Sequence, residues 1–132
     1  MAVTDADYQR LLAFRTNLRR FERWSRERAA EAGLTTVQHQ LMLGHPDERG
    51  PTVTHVAEYL CVRHHSAVEL VDRAQHGGLV VRTPDMDDQR VVRLALTPQG
   101  RRSLEALSLV HLEELARLGP ALCPLWEGPA MG

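Results

Sequence analysis

Apolar residues recur at spacings of three and four along the first part of the chain. The residues that follow this spacing are Leu11, Phe14, Leu18 and Phe21, with arginines between them. A period near 3.6 residues is that of an α-helix with one apolar face. We therefore predict a long amphipathic helix from Asp5 to about Ala32, ended by Gly33.

Three shorter helical segments follow. A second helix is predicted from a cap at Thr35 or Thr36 to about Leu43, before a glycine- and proline-containing loop. The stretch "TVTHVAEYL" begins with a capping threonine, Thr52, and predicts a third helix. Its inward residues are Val53, Val56, Ala57 and Leu60. After a break at Cys61-Val62, a fourth runs from about Arg63 to His76 and ends at Gly77-Gly78. Its inward residues are predicted to be Ala67, Leu70, Val71 and Ala74. Two helices joined by so tight a turn are typical of a helix-turn-helix.

The next segment contains two short runs rich in valine. "LVVR" and "VVRLAL" predict two β-strands, with Pro84 and neighbouring aspartates expected to prevent regular pairing between them. Thr97 and Pro98 suit the start of a fifth helix. Its apolar residues are Leu104, Leu107, Leu112, Leu115 and Leu118. We expect this helix to end at Gly119-Pro120, with at most a short helix in the proline-containing tail.

The length, charge and composition of the chain limit the classes of protein to which it can belong. The chain has 132 residues and a formal net charge of -1, which suits one domain and excludes a general polycation. Nucleic-acid binding would require a locally basic face. Neither a secretion signal nor a run long enough to span a bilayer is visible, so we expect a soluble, cytoplasmic protein without a membrane partner.

Catalytic and metal-binding patterns are missing from the sequence. Cys61 and Cys123 lack metal or redox spacing, so we expect them to be small buried residues. Adjacent histidines on a helix, such as His64 and His65, point about 100° apart and rarely coordinate the same metal ion. No phosphate-binding loop or nucleophile motif is present. We therefore predict no enzyme activity, no cofactor and no metal site.

Four segments together resemble the MarR family (multiple antibiotic resistance regulators). These segments are "GLTTVQHQLML", "VAEYLCV", "LVDRAQHGGLVVR" and "DDQRVVRLALTPQG". The resemblance implies a mainly α fold with a small antiparallel β-hairpin (α+β), in a single domain over residues 1–132. A winged helix-turn-helix lobe over about 33–97 would be flanked by dimerisation helices over about 1–32 and 98–132.

The resemblance also implies a function. It predicts a sequence-specific transcriptional regulator, acting as a ligand-responsive repressor and a homodimer on a pseudo-palindromic operator in double-stranded DNA. A small aromatic or phenolic effector would bind between the terminal helices and the lobe. Two other classes stay open: a winged-helix adaptor that binds protein, and a metal- or thiol-responsive sensor on the same fold.

The candidate site residues fall into three groups. The recognition helix would contact DNA through Arg63, His64, His65, Ser66, Glu69 and Arg73, although Arg73 could instead pair with Asp72 or Glu69. The wing would contact DNA through Asp88, Gln89 and Arg90. Asp88 would orient Arg90, which would enter a narrow minor groove. The histidines that could line an effector pocket, or lie at a polar interface, are His39 and His45.

Two features of this sequence qualify these predictions. The wing of the family usually reads Asp-Arg-Arg, so Gln89 removes one candidate DNA contact. The terminal helices carry an apolar stripe that is most simply core. Its excess would be buried by a second copy of the chain.

Overall fold

The computed structural model describes residues 2–44 and 49–126, with the side chains among them up to residue 119. Within these residues, the elements in chain order are α1 (Asp5–Glu31), α2 (Thr36–Leu43), α3 (Val53–Leu60), α4 (His64–His76), β1 (Val80–Pro84), β2 (Val92–Leu96) and α5 (Pro98–Trp126). This order confirms the predicted fold class, which is mainly α-helical with one antiparallel hairpin.

Threonines begin the first three helices. The hydroxyl oxygens of Thr4, Thr35 and Thr52 each accept a hydrogen bond from a backbone N–H in the first turn. In each case a side chain of that turn accepts a hydrogen bond from the backbone N–H of the threonine. Such reciprocal capping satisfies donors that the helix leaves open, and a threonine cap contributes about 1 kcal/mol. The caps predicted at Thr35 and Thr52 are confirmed.

The turn between α3 and α4 depends on one residue in the left-handed conformation. Cys61 has φ 56°, and the N–H of Val62 bonds the carbonyl of Ala57 at 3.0 Å. This geometry ends α3 and allows α4 to begin three residues later.

Cys61 is exposed, so the prediction that it is buried was wrong. At the end of α3 its side chain points away from the core that Val56 enters. Cys123 lies beyond the described side chains.

The wing is a regular two-stranded ladder. Val80 lies opposite Leu96 and Pro84 lies opposite Val92. The prediction that Pro84 prevents regular pairing was wrong. Proline lacks a backbone N–H but is tolerated at a strand end, where no further ladder bond is required of it.

Helix α5 is longer than predicted. It continues through Gly119 and Pro120 to Trp126, so the predicted end at this pair was wrong. Proline removes one helical hydrogen bond and bends a helix, but helix-favouring neighbours such as Leu118 and Ala121 can continue it. The rest of the predicted tail, residues 127–132, lies outside the described residues.

The core lies where α2, α3, α4 and the wing meet the first turns of α5. Fully buried side chains include Leu41, Met42, Val56, Val71 and Val80. Leu104 and Leu107 of α5 are also buried, whereas Leu112 is 64% exposed and Leu115 is 41% exposed. Only part of the apolar stripe is therefore core in the single chain, because α5 extends past the elements that could cover it.

Candidate nucleic-acid interface and effector cavity

Helix α4 has one buried and one accessible face. Ala67, Val71 and Ala74 have no solvent exposure and anchor the helix in the core. The predicted recognition residues lie on the accessible side: Ser66 is partly buried, and the exposed residues are Arg63, His64, His65, Glu69 and Arg73. Arg63 is the N-cap residue, and its side chain makes no capping bond. The six predicted residues are thus accessible together to a partner.

The acidic neighbours of Arg73 do not pair with it. Asp72 accepts a hydrogen bond from Nη2 of Arg82 at 2.7 Å, and Gln75 accepts one from Nη1 of Arg82 at 2.6 Å. Among the described residues, Arg73 makes no ion pair with either Asp72 or Glu69. Arg82 lies on β1, so this contact ties the recognition helix to the wing.

A buried carboxylate organises the wing tip. Oδ2 of Asp85 accepts the backbone N–H groups of Asp87 at 3.1 Å and Asp88 at 3.0 Å, and Arg93 donates to Oδ1. Arg93 also donates to the carbonyl of Gly50 at 2.9 Å, in the loop before α3. The bond from Arg93, followed by the N–H of Asp88, lowers the pKa of Asp85. The tip is therefore held by charge-assisted hydrogen bonds.

Arg90 projects from this organised tip. Its side chain is 90% exposed, and Nε and Nη2 lie 3.1 and 3.2 Å from the two carboxylate oxygens of Asp88. The same bonds lower the pKa of Asp88. Gln89 is exposed beside it. The predicted ion pair between Asp88 and Arg90 is present, and it leaves the guanidinium accessible.

The structural residues of the wing were not identified from the sequence. Arg82 and Arg93 fasten the strands to α4 and to the loop before α3, and Asp85 shapes the tip. The signal available in the sequence was one arginine within each of the two valine-rich runs. No pattern in the sequence marked Asp85 as a buried acid.

The second site lies between α1, α2 and α5. His39 is 5% exposed, and its Nε2 lies 3.0 Å from Oγ of Ser108. Its ring centroid is 4.6 Å from that of His111. Burial, and secondarily the nearby His111, lowers the pKa of His39 to about 4. His39 is therefore a neutral imidazole at neutral pH.

His111 is held by both ring nitrogens. Nδ1 lies 2.8 Å from the carbonyl of Leu107, and Nε2 lies 2.7 Å from Oγ of Ser25. A carbonyl oxygen only accepts, so Nδ1 carries a proton, while Nε2 shares a hydrogen bond with the hydroxyl of Ser25. Trp24 and Phe21 contact the ring edge-on, with centroids 4.9 and 5.9 Å away. This network was not predicted from the sequence. The sequence feature that could have predicted it is the placement of Ser25 and His111 at core-facing positions of the apolar stripes.

A cavity of about 390 Å³ opens beside these histidines. Its lining residues are Phe21, Ser25, His39, Gln40, Leu43, Ser108, His111, Leu112 and Leu115. A second cavity of about 250 Å³ shares part of this wall and adds Glu22, Arg26 and Thr36. His39 thus lies in the cavity wall, whereas His45 lies outside the described residues.

The same described residues also bear on metal binding and on membrane insertion. They contain no group of three or more histidine, cysteine or acidic side chains placed to hold a metal ion. No helix among them is both long enough and apolar enough to cross a membrane.

Comparisons with known proteins were made on sequence and on structure. Neither a protein-family model nor a curated protein matches the chain. Among solved structures, a MarR family protein from Bacillus stearothermophilus is 26% identical, with a TM-score of 0.72. That match covers 86% of this chain and 77% of the other.

Two other solved structures carry ligands. CouR from Rhodococcus jostii, bound to p-coumaroyl-CoA, is 25% identical with a TM-score of 0.67, covering 98% of this chain and 84% of CouR. A MepR mutant from S. aureus, bound to an oligodeoxyribonucleotide, is 20% identical with a TM-score of 0.65, covering 81% and 79%. These matches, together with the helix-turn-helix and its wing, confirm the predicted resemblance: the chain has the fold of the MarR-family winged-helix regulators.

Proposed function

We propose that this chain is a DNA-binding transcriptional regulator that works in the cytoplasm as a homodimer. The observation that carries the proposal is the joint display of α4 and the wing, which Arg82 fastens together through Asp72 and Gln75. One rigid unit thereby presents an exposed polar helix face and an exposed arginine. The MepR mutant bound to an oligodeoxyribonucleotide, which shares the fold, supports DNA as the partner.

In this proposal, the first turn of α4 enters the major groove. His64, His65 and Ser66 offer groups that donate or accept hydrogen bonds at base edges, and Arg63 and Arg73 can contact guanine or phosphate. Glu69 can accept from cytosine. Two copies would read the two halves of a pseudo-palindromic operator and repress transcription by occupying it.

The wing provides the sharpest test of DNA binding. Arg90→Ala should weaken binding to duplex DNA roughly tenfold and lower the slope of affinity against salt by about one unit, because one phosphate-neutralising charge is lost. The loss should be larger on operators with A·T-rich flanks, since a narrow minor groove concentrates negative potential. Fluorescence anisotropy over a salt series measures both quantities.

Arg23→Ala is the matched control for this variant. Arg23 also lies in an exposed ion pair, with Glu27 on α1, far along the chain from the wing. Its removal changes the net charge equally but should leave the salt slope unchanged. Unchanged DNA affinity in Arg90→Ala, with a lowered melting temperature, would show that Arg90 only closes the wing. An unmodified chain that shows no salt-dependent binding to duplex DNA would favour the protein-binding adaptor.

The homodimer is proposed from uncovered apolar residues on the terminal helices. Leu11 and Leu12 of α1 are 60% and 66% exposed, and Leu109 and Leu112 of α5 are 58% and 64% exposed. Large apolar residues concentrated in this way favour burial against another copy.

Leu109→Glu combined with Leu112→Glu should convert the dimer to a folded monomer, because it places charge on the proposed interface. Light scattering gives the mass, and circular dichroism checks that the helices remain. Val81→Glu, at a 42% exposed residue of the wing, is the control and should remain dimeric. A monomeric unmodified chain would exclude the dimer and with it two-half-site recognition.

The cavity beside His39 is proposed to bind an effector. It lies between the terminal helices α1 and α5 and the α2 segment of the DNA-binding lobe. The resemblance favours a small aromatic or phenolic molecule, and CouR with p-coumaroyl-CoA supports a small-molecule ligand. A ligand that binds one spacing of the two recognition helices better than another would change DNA affinity.

A further inference from the structure

We propose that the cavity beside His39 selects an uncharged ligand, with an apolar body and one hydroxyl or similar hydrogen-bonding group that contacts Nδ1 of His39. Organic anions and cations of the same shape should bind more weakly. This inference rests on the proposed effector role of the cavity, and it adds the charge and the anchoring atom of the ligand.

The two histidines of the cavity wall differ in how many of their ring nitrogens are hydrogen-bonded. Both ring nitrogens of His111 are occupied, by Leu107 and by Ser25. His39 uses only Nε2, toward Ser108. Within the described residues, the one buried side-chain polar atom that is both sealed from solvent and unpartnered is Nε of Arg28. Nδ1 of His39 also has no hydrogen-bond partner among the described residues, but it keeps some contact with solvent. The cavity that His39 lines is the open space beside its ring.

The second argument is the chemistry of that nitrogen. The hydroxyl of Ser108 can donate to Nε2 of His39 or accept from it. If Ser108 donates, Nδ1 of His39 carries the proton. If Ser108 accepts, Nδ1 has a free lone pair and can accept a hydrogen bond. A ligand hydroxyl both donates and accepts, so it satisfies Nδ1 in either case, whereas a carboxylate only accepts and an ammonium only donates.

The third argument is charge. His39 is neutral at neutral pH, because burial lowers its pKa to about 4, so no imidazolium faces a bound anion. The charged side chains in the adjoining cavity are Glu22 of α1 and Arg26 of α1, which have opposite signs and are exposed to water. Beside His39, the walls from α2 and α5 contribute Gln40, Ser108, His111 and leucines. Both ring nitrogens of His111 are already bonded, to Leu107 and to Ser25, so neither is open to a ligand. A charged ligand would lose its hydration here without a buried counter-charge.

The test uses four small molecules built on one phenyl ring. Benzyl alcohol, toluene, benzoate and benzylamine differ in the group attached to the ring and in its charge. At pH 7.5, titration of the full chain followed by NMR should show benzyl alcohol binding about three- to tenfold more tightly than toluene, as expected for one net hydrogen bond. Benzoate and benzylamine should bind at least about tenfold more weakly than benzyl alcohol.

His39→Phe should abolish the preference for benzyl alcohol over toluene, because the ring shape is kept and the anchoring nitrogen is lost. His76→Phe, at an exposed histidine at the end of α4, is the control and should keep the preference. Circular dichroism confirms that both variants fold. Tighter binding of benzoate, binding of none of the four, or a preference that survives in His39→Phe would each overturn the inference.

Anisotropy with duplex DNA separates this inference from the proposed function. Selective binding of benzyl alcohol by a chain that does not bind duplex DNA would refute the regulator while leaving the ligand chemistry of the cavity intact. Salt-dependent DNA binding by a chain whose cavity prefers benzoate would refute the ligand chemistry and leave the regulator.

Discussion

Gly100→Ala should destabilise the chain by about 3 kcal/mol or more, which is a large part of the stability of a small domain. A Cβ at this buried position would lie 2.0 Å from the carbonyl oxygen of Leu79 and 2.9 Å from its carbon. The neighbour is backbone and cannot rotate away. The same carbonyl accepts the N–H of Thr97 at 3.0 Å, so displacing it also disturbs the start of α5. Urea denaturation followed by circular dichroism measures the change.

Gly119→Ala is the matched control in the same helix. A Cβ there meets nothing within 4 Å. Alanine should therefore raise stability by about 0.5 to 1 kcal/mol, because glycine is the poorer helix former. Equal effects of the two substitutions would show that Gly100 is retained for some reason other than the close approach of α5 to Leu79.

The unfolding free energy should fall as the pH is lowered from about 6.5 to about 4, because of His39. Its pKa is about 4 in the folded chain, against 6.5 as the ordinary value. The unfolded chain therefore binds more protons between these two values, and stability is lost as the pH decreases through this window. Above about pH 6.5 the contribution is flat, and the total change is at most about 3 kcal/mol by the linkage relation.

His39→Phe should remove this part of the pH dependence. Carboxylates also begin to protonate at the acidic end, so the quantity to compare is the difference between the unmodified chain and the variant at each pH. His76→Phe should retain the full slope. A slope that is the same in all three chains would show that His39 gains its proton without cost to the folded state.

The cavity and the DNA-binding elements differ in how far they could be predicted. The helix-turn-helix, its threonine caps and the wing follow from local signals: capping residues, apolar spacing and valine-rich runs. Arg90 with Asp88 also follows, since both lie in one short turn. His39 was found as a candidate, but its partners Ser108 and His111 come from α5. Ser25, which bonds His111, comes from α1, and no local pattern brings these residues together.

Errors arose where a local rule was opposed by its surroundings. Pro84 was expected to interrupt the ladder, yet its place at a strand end requires no N–H. Gly119-Pro120 was expected to end α5, yet the helix continues through it. Cys61 was expected in the core, yet the turn between two helices needed it in a left-handed conformation facing solvent.

The sequence by itself determined the order of the elements, their caps and the residues of α4 that can face a partner, because helix and strand periodicity are local properties. Tertiary structure alone decided which charges distant in the chain pair and which histidine loses its proton. Arg82 meets Asp72 only because β1 packs beside α4, and His39 is neutral only because α5 covers it. Such contacts join residues far apart in the chain, and burial acts on them through solvation, which local spacing does not encode.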